Sequence, residues 1–151
     1  MTTAPTTTLS RADLDLIERV HGHICPMVLL GARTARKARL EMGEGSTAHL
    51  FAFYRGHGCG VDGVQIFSGC TWGNGNLVLL RGRDHSLLLT AEEAGEGVLV
   101  SPRREVLARI RRAESGDRQA LMEWLAGEPD GGLCLSEKVA GLGVLSRFPE
   151  E

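Results

Sequence analysis

The residues of this 151-residue chain best equipped for chemistry lie in two clusters. The first reads His21-Gly22-His23-Ile24-Cys25-Pro26. In extended backbone, positions two apart point to the same side, so His21, His23 and Cys25 can converge. Imidazole and thiolate are the donors that zinc and other borderline or soft metals take. Pro26 suits a helix's first turn and disfavours helical geometry at Cys25, so the cluster should lie just before a helix. Free N–H groups at such a helix start favour a thiolate. Cys25 is therefore a candidate nucleophile as well as a ligand. The plain alternative is a capping loop with surface histidines and a buried cysteine.

The second cluster runs from His57-Gly58-Cys59 through Asp62, Gln65 and Ser68 to Gly69-Cys70-Thr71-Trp72-Gly73-Asn74-Gly75-Asn76-Leu77. Asp62 and Gln65 are three apart and share a face if the segment is helical. Gly69, Gly73 and Gly75 let the backbone turn sharply and approach a ligand. The spacing matches neither a Walker loop nor a dinucleotide fingerprint. The plain alternative is a tight turn with a buried cysteine on each side. Trp72 is either a core aromatic or a flat wall of a cleft. His49 and His85 are isolated and read as structural or exposed.

The elements that must position these residues follow from periodicity. Ser10 and Asp13 have capping-box spacing, and Leu14, Ile17 and Val20 recur at helical intervals, predicting a helix over 11–20. A second helix should run from Pro26 to Met42 and stop at Gly43. Its small residues Gly31, Ala32, Ala35 and Ala38 allow close approach of another element. A strand is expected over 47–54 and a short helix over 60–67. Two strands, 77–80 and 87–90, should form a hairpin, with another strand at 98–100. Helices are expected from Pro102, over 117–126 and over 136–142. The order describes an α+β domain with a small, mainly antiparallel sheet packed by helices. Residues 1–9 read as a flexible tail and 10–151 as one domain, with a helical extension over 113–151.

With 17 basic and 19 acidic residues, the net charge of −2 argues against a general polyanion-binding surface. Aromatic residues make up 5%, too few for a base-stacking platform, so nucleic acid is not an expected partner. No apolar run reaches membrane-spanning length, and the Thr-rich start lacks signal-peptide character. The expected location is the cytoplasm, where Cys25, Cys59, Cys70 and Cys134 would stay reduced.

Taken together, the two clusters resemble the FmdE family, named for a component of formylmethanofuran dehydrogenase, over that family's core domain. The family shows His-Gly-His-x-Cys-Pro-Gly, then Cys-Gly-Val-Asp-Ala-Ile-Gln, then Gly-Cys-Thr-x-Gly-Lys-Gly-Asn-Leu. These correspond here to His21–Pro26, Cys59–Gln65 and Gly69–Leu77. The resemblance covers about residues 11–112. It implies an α+β core, usually dimeric, with a polar cleft that holds a metal. Departures are Met27 for the family's Gly, Asn74 for its Lys, and His57 where an acidic residue usually stands. Cys134 is the lone cysteine in the tail beyond the core motifs, so a paired-cysteine zinc site of the kind some members carry is not expected within that tail.

The expected ligands are drawn from His21, His23, Cys25, His57, Cys59 and Cys70. Zinc is the expected ion, with iron or another transition metal as alternatives. Cys25 and Asp62 are the catalytic candidates, with Asp62 as proton carrier or orienter of a ligand. Gln65, Thr71, Trp72 and Asn74 are the substrate-facing candidates. The leading expectation is metal-assisted chemistry on a small molecule in a His/Cys-lined cleft. The second is a metal or metallo-cofactor delivery protein serving an oxidoreductase complex. The third is metal-free thiol chemistry at Cys25. A homodimer is expected on the resemblance.

Overall fold

Ser10 and Asp13 start the first helix in the manner their spacing demands. The Ser10 hydroxyl accepts from the Asp13 N–H, and the Asp13 carboxylate accepts from the Ser10 N–H. The computed structural model describes residues 7–43, 49–91 and 96–140. Helix α1 is Arg11–His21 and α2 is Pro26–Met42, followed by β1, Leu50–Arg55, and α3, Cys59–Ser68. Strands β2, β3 and β4 are Leu77–Leu79, Ser86–Ala91 and Glu96–Pro102. Helices α4, Arg104–Arg112, α5, Arg118–Gly127, and the short α6, Asp130–Leu133, precede β5, Cys134–Ala140.

The five strands form one sheet in the order β2-β1-β3-β4-β5. Three of the four pairings are antiparallel, but β2 runs parallel to β1. The hairpin expected between 77–80 and 87–90 is therefore not formed. β1, α3 and β2 make a strand–helix–strand crossover instead, and β3 returns on the other side of β1. Alternation and turn residues identify strands without naming their partners, and a connection the length of α3 plus the Gly-rich turn permits parallel pairing. The helix expected over 136–142 is corrected too. Ser136–Ala140 belongs to β5, paired residue for residue with β4, while 141 and 142 lie outside the described residues. A ladder along the open edge of β4 satisfies the backbone there and overrides a weak local helix preference. Pro102 closes β4 rather than opening a helix.

One sheet face, carrying Ala52, Tyr54, Leu87, Leu89, Val98 and Val100, packs with Val28, Leu29, Ala32 and Ala35 of α2 in a single core. Leu87 and Leu89 are fully buried, each contributing about 2 kcal/mol. Arg33 crosses this core, giving hydrogen bonds to the Leu125 and Glu128 carbonyls and to the Thr7 hydroxyl. It thereby holds the C-terminal end of α5, where carbonyls lack helical partners. Thr7 and Leu9, which fall in the stretch expected to be a loose tail, are thus tied down, Leu9 through the Ala126 carbonyl.

The small-residue stripe of α2 is used within the chain. A Cβ at Gly31 would collide with the Gly60 carbonyl and lie 2.9 Å from Gly60 Cα. One at Gly63 would lie 2.5 Å from the Ala32 nitrogen. Backbone therefore meets backbone where α2 crosses α3, and this contact brings the two chemical clusters together.

Candidate metal centre

The first cluster is not one extended segment. His21 is the last residue of α1, and Gly22 turns the chain through a left-handed conformation with φ 93°, its N–H donating to the Glu18 carbonyl. Cys25 is the extended residue before α2, with φ −141° and ψ 163°. Its thiol caps no backbone N–H. Convergence therefore comes from a helix end, a turn and a helix start. The rings of His21 and His23 stand 4.4 Å apart, centroid to centroid.

Cys59 is the first residue of α3. Because α3 crosses α2 in close contact, its start faces that of α2. One donor atom from each of His21, His23, Cys25 and Cys59 lies within 4.8 Å of the other three. Tetrahedral zinc would set such atoms about 3.3–3.8 Å apart, so only a modest contraction is required. Sγ of Cys25 and Nε2 of His21 are already 3.9 Å apart. Cys25 is buried, His21 and Cys59 are half-buried, and His23 is exposed. All four cysteines are free thiols. Burial, followed by the neighbouring Cys25 thiol and Asp62, pushes the Cys59 thiol above its ordinary range.

Asp62 completes the arrangement. Its Oδ2 lies 2.7 Å from Nδ1 of His21, which leaves Nε2 toward Cys25. A carboxylate behind a ligating imidazole fixes the ring and its tautomer, the usual support of a metal-bound histidine. The other Asp62 oxygen accepts from Gln65 at 3.0 Å, as three-apart spacing on α3 requires. Gln65 in turn accepts from the Trp72 N–H at 2.9 Å. The Gly-rich turn is thereby tied to the centre through Gln65 and Asp62.

Within that turn, the Asn74 side chain accepts from the Thr71 and Asn76 N–H groups and donates to the Gly69 carbonyl. The Thr71 hydroxyl accepts from the Asn74 N–H. Gly69 and Gly75 have φ of 75° and 77°, conformations open chiefly to glycine. The Trp72 side chain stands 79% exposed.

Two of the six candidate ligands lie apart from the four. Cys70 is buried, its thiol donating to the Leu50 carbonyl at 3.3 Å. His57 is exposed, with its ring 6.0 Å from that of His85. Cys134 is buried beside the Thr34 hydroxyl, and burial pushes its thiol up to about 11. The pairing of Tyr54 with His85 is not legible in the sequence. The one hint is the glycine-rich spacing that follows Tyr54, at Gly56, Gly58 and Gly60.

Fold and site together define a small α+β domain with a two-histidine, two-cysteine group suited to a metal ion. Residues 20–131 match the family profile described as FmdE, molybdenum formylmethanofuran dehydrogenase operon. The chain belongs to the FmdE family. It is 35% identical over 86 residues to a probable S-adenosyl-L-methionine-binding protein of Archaeoglobus fulgidus. That match takes in 53% of this chain but only 24% of the relative, so the chain corresponds to about a quarter of it. The fold is also that of an FmdE-like protein of the tungsten formylmethanofuran dehydrogenase type from Syntrophus aciditrophicus, seen in a crystal structure. The TM-score is 0.72 at 23% identity, over 96% of this chain and 80% of the other. Among the described residues, no helix is long and apolar enough to cross a membrane.

Proposed function

We propose that the chain binds one zinc ion through His21, His23, Cys25 and Cys59 and uses it on a small molecule. The supporting observation is the convergence of four donor atoms within 4.8 Å, one of whose imidazoles is braced by a carboxylate. Mixed imidazole and thiolate ligation suits zinc, and iron or another transition metal is the alternative. Two thiolates would balance the dipositive charge. His23, the exposed member, is the ligand that would yield its place, leaving three protein donors and one open position. When bound, such an ion polarises a carbonyl or lowers the pKa of water.

The chain's own groups have distinct parts in this reading. Asp62 orients His21 and, at 35% side-chain exposure, can exchange protons with solvent. Gln65 holds both Asp62 and the Gly-rich turn in place. Thr71 and Asn74 shape the turn, so the exposed Trp72 indole is the surface it offers a ligand. A homodimer and a reducing, cytoplasmic location belong to the same reading. Light scattering tests the dimer against the chain mass of 16.3 kDa.

Delivery of a metal or metallo-cofactor to an oxidoreductase is the second reading, favoured by the exposure of His23. The operon named in the family description fits it as well. Elemental analysis of untagged protein, before and after dialysis against a chelator, separates the two. One zinc per chain that survives dialysis supports the enzyme. Metal that leaves readily and passes to an acceptor supports delivery. Protein that holds no metal, and whose melting temperature ignores added zinc and iron, sinks both and leaves thiol chemistry at Cys25.

A further inference from the structure

Tyr54 and His85 form a polar pair that the four-residue centre does not use. Tyr54 is fully enclosed, and its hydroxyl lies 2.8 Å from Nδ1 of His85. Burial, then the charge of Asp84, holds the phenol protonated far above its ordinary range, so Tyr54 donates and Nδ1 accepts. Burial, followed by His57, lowers the pKa of His85, and Arg111 adds to this while Asp84 opposes it. A neutral imidazole that accepts at Nδ1 carries its proton on Nε2. His85 therefore presents a fixed N–H donor.

Holding that donor costs the fold something. His85 has φ 56°, and no other non-glycine residue described has a positive φ. Such a conformation is disfavoured for a residue that carries a Cβ. The surrounding loop is built to hold it. The His85 N–H donates to the Arg55 carbonyl, and the Arg55 guanidinium binds the Arg81 carbonyl and the Asp84 carboxylate. Space is reserved as well: a Cβ at Gly56 would lie 2.6 Å from His85 Nδ1, and one at Gly60 would collide with the Tyr54 hydroxyl.

The exposed ring of His57 stands 6.0 Å from that of His85. His57 precedes Cys59 by two residues, and Gly60, against which Tyr54 packs, follows Cys59 directly. Through these neighbours the two imidazoles are linked to the first turn of α3, which begins at Cys59. Bracing the first turn of α3 would explain Tyr54 alone. It gives no reason for an imidazole in a left-handed conformation with a second imidazole beside it, and strain of this kind gathers at functional positions.

We propose that His85 and His57 form a binding subsite for a carboxylate group on the small molecule handled at the neighbouring centre. The link to that centre rests on the metal reading above, whereas the subsite itself does not. His85 Nε2–H donates to one carboxylate oxygen and a His57 N–H to the other. The Arg111 guanidinium attracts a negative charge here and the Asp84 carboxylate, engaged by Arg55, opposes it, so recognition rests on the two imidazole donors.

Nitrogen-edited NMR of the histidine rings tests this in chelator-treated protein at about pH 8, with sodium acetate as probe. The expected result is an Nε2–H tautomer at His85 and saturable shifts of both rings. His57→Ala, at an exposed position, should fold normally and bind acetate about tenfold more weakly, the loss of one charge-assisted hydrogen bond. Tyr54→Phe should release the tautomer preference and with it weaken acetate binding, and the second effect is one that a merely bracing role would not predict. Rings that fail to shift, an Nδ1–H tautomer, or undiminished acetate binding by His57→Ala would overturn the subsite. Acetate binding by protein that takes up no zinc keeps the subsite and removes the metal reading. Zinc uptake without acetate shifts does the reverse.

Discussion

Gly31→Ala tests whether the α2–α3 crossing sets the metal centre. The added methyl would collide with the Gly60 carbonyl oxygen and stand 2.9 and 3.0 Å from Gly60 Cα and C. Ordinary contact begins at 3.4 Å, and the three nearest atoms are all backbone, so no side chain can swing away to relieve them. The helices must part by at least about half an ångström, and overpacking of this kind costs roughly 1–3 kcal/mol. Because α2 begins beside Cys25 and α3 begins at Cys59, the same displacement separates two proposed ligands. Zinc affinity should fall about 10–100-fold, comparable to loss of a group that orients a ligand. Thermal melts of the metal-free protein and competition with a chromophoric zinc chelator give the two quantities separately. Gly116→Ala, where an added Cβ meets nothing within 4 Å, is the control and should change neither. A Gly31→Ala protein that melts and binds zinc like the parent would refute the reasoning.

Three further outcomes follow from the same geometry. Asp62→Asn should leave the melting temperature of the metal-free protein within a few degrees while zinc affinity drops about 10–100-fold, measured by the same competition, because His21 loses its orienting carboxylate. Cys25→Ser should remove most bound metal, whereas Cys70→Ser, at a thiol engaged with the Leu50 carbonyl, should keep it and lose about 1 kcal/mol of stability by denaturant titration. The Lys37 ammonium, 2.6 Å away, holds the Asp130 carboxyl below its ordinary pKa. A depressed folded-state pKa gives stability that is present above the unfolded value near 3.8 and lost as pH falls through the folded value. Asp130→Asn should therefore cost up to about 1 kcal/mol at neutral pH, and urea titrations should show that difference shrinking below about pH 4.

Local chemistry made much of this protein legible in its sequence. Ser10 with Asp13 marks a helix start, Pro26 and Gly43 bound α2, and Asp62 with Gln65 share a face, because each depends on neighbours within one or two turns. Donor types at His21, His23, Cys25 and Cys59 likewise announce a preference for metals, since ligand chemistry belongs to the side chain itself. What only the tertiary structure decided is which of these meet. Cys70 sits in a motif as suggestive as that of Cys59, yet the parallel pairing of β2 with β1 leaves its thiol at the Leu50 carbonyl. Ser136–Ala140 reads as helix locally and becomes strand because the edge of β4 has unpaired backbone to satisfy. His85, an isolated histidine in the sequence, gains its character from a buried tyrosine 31 positions earlier. Strand partners and helix crossings depend on how whole faces are buried, a property of the packed chain that no short window of residues contains.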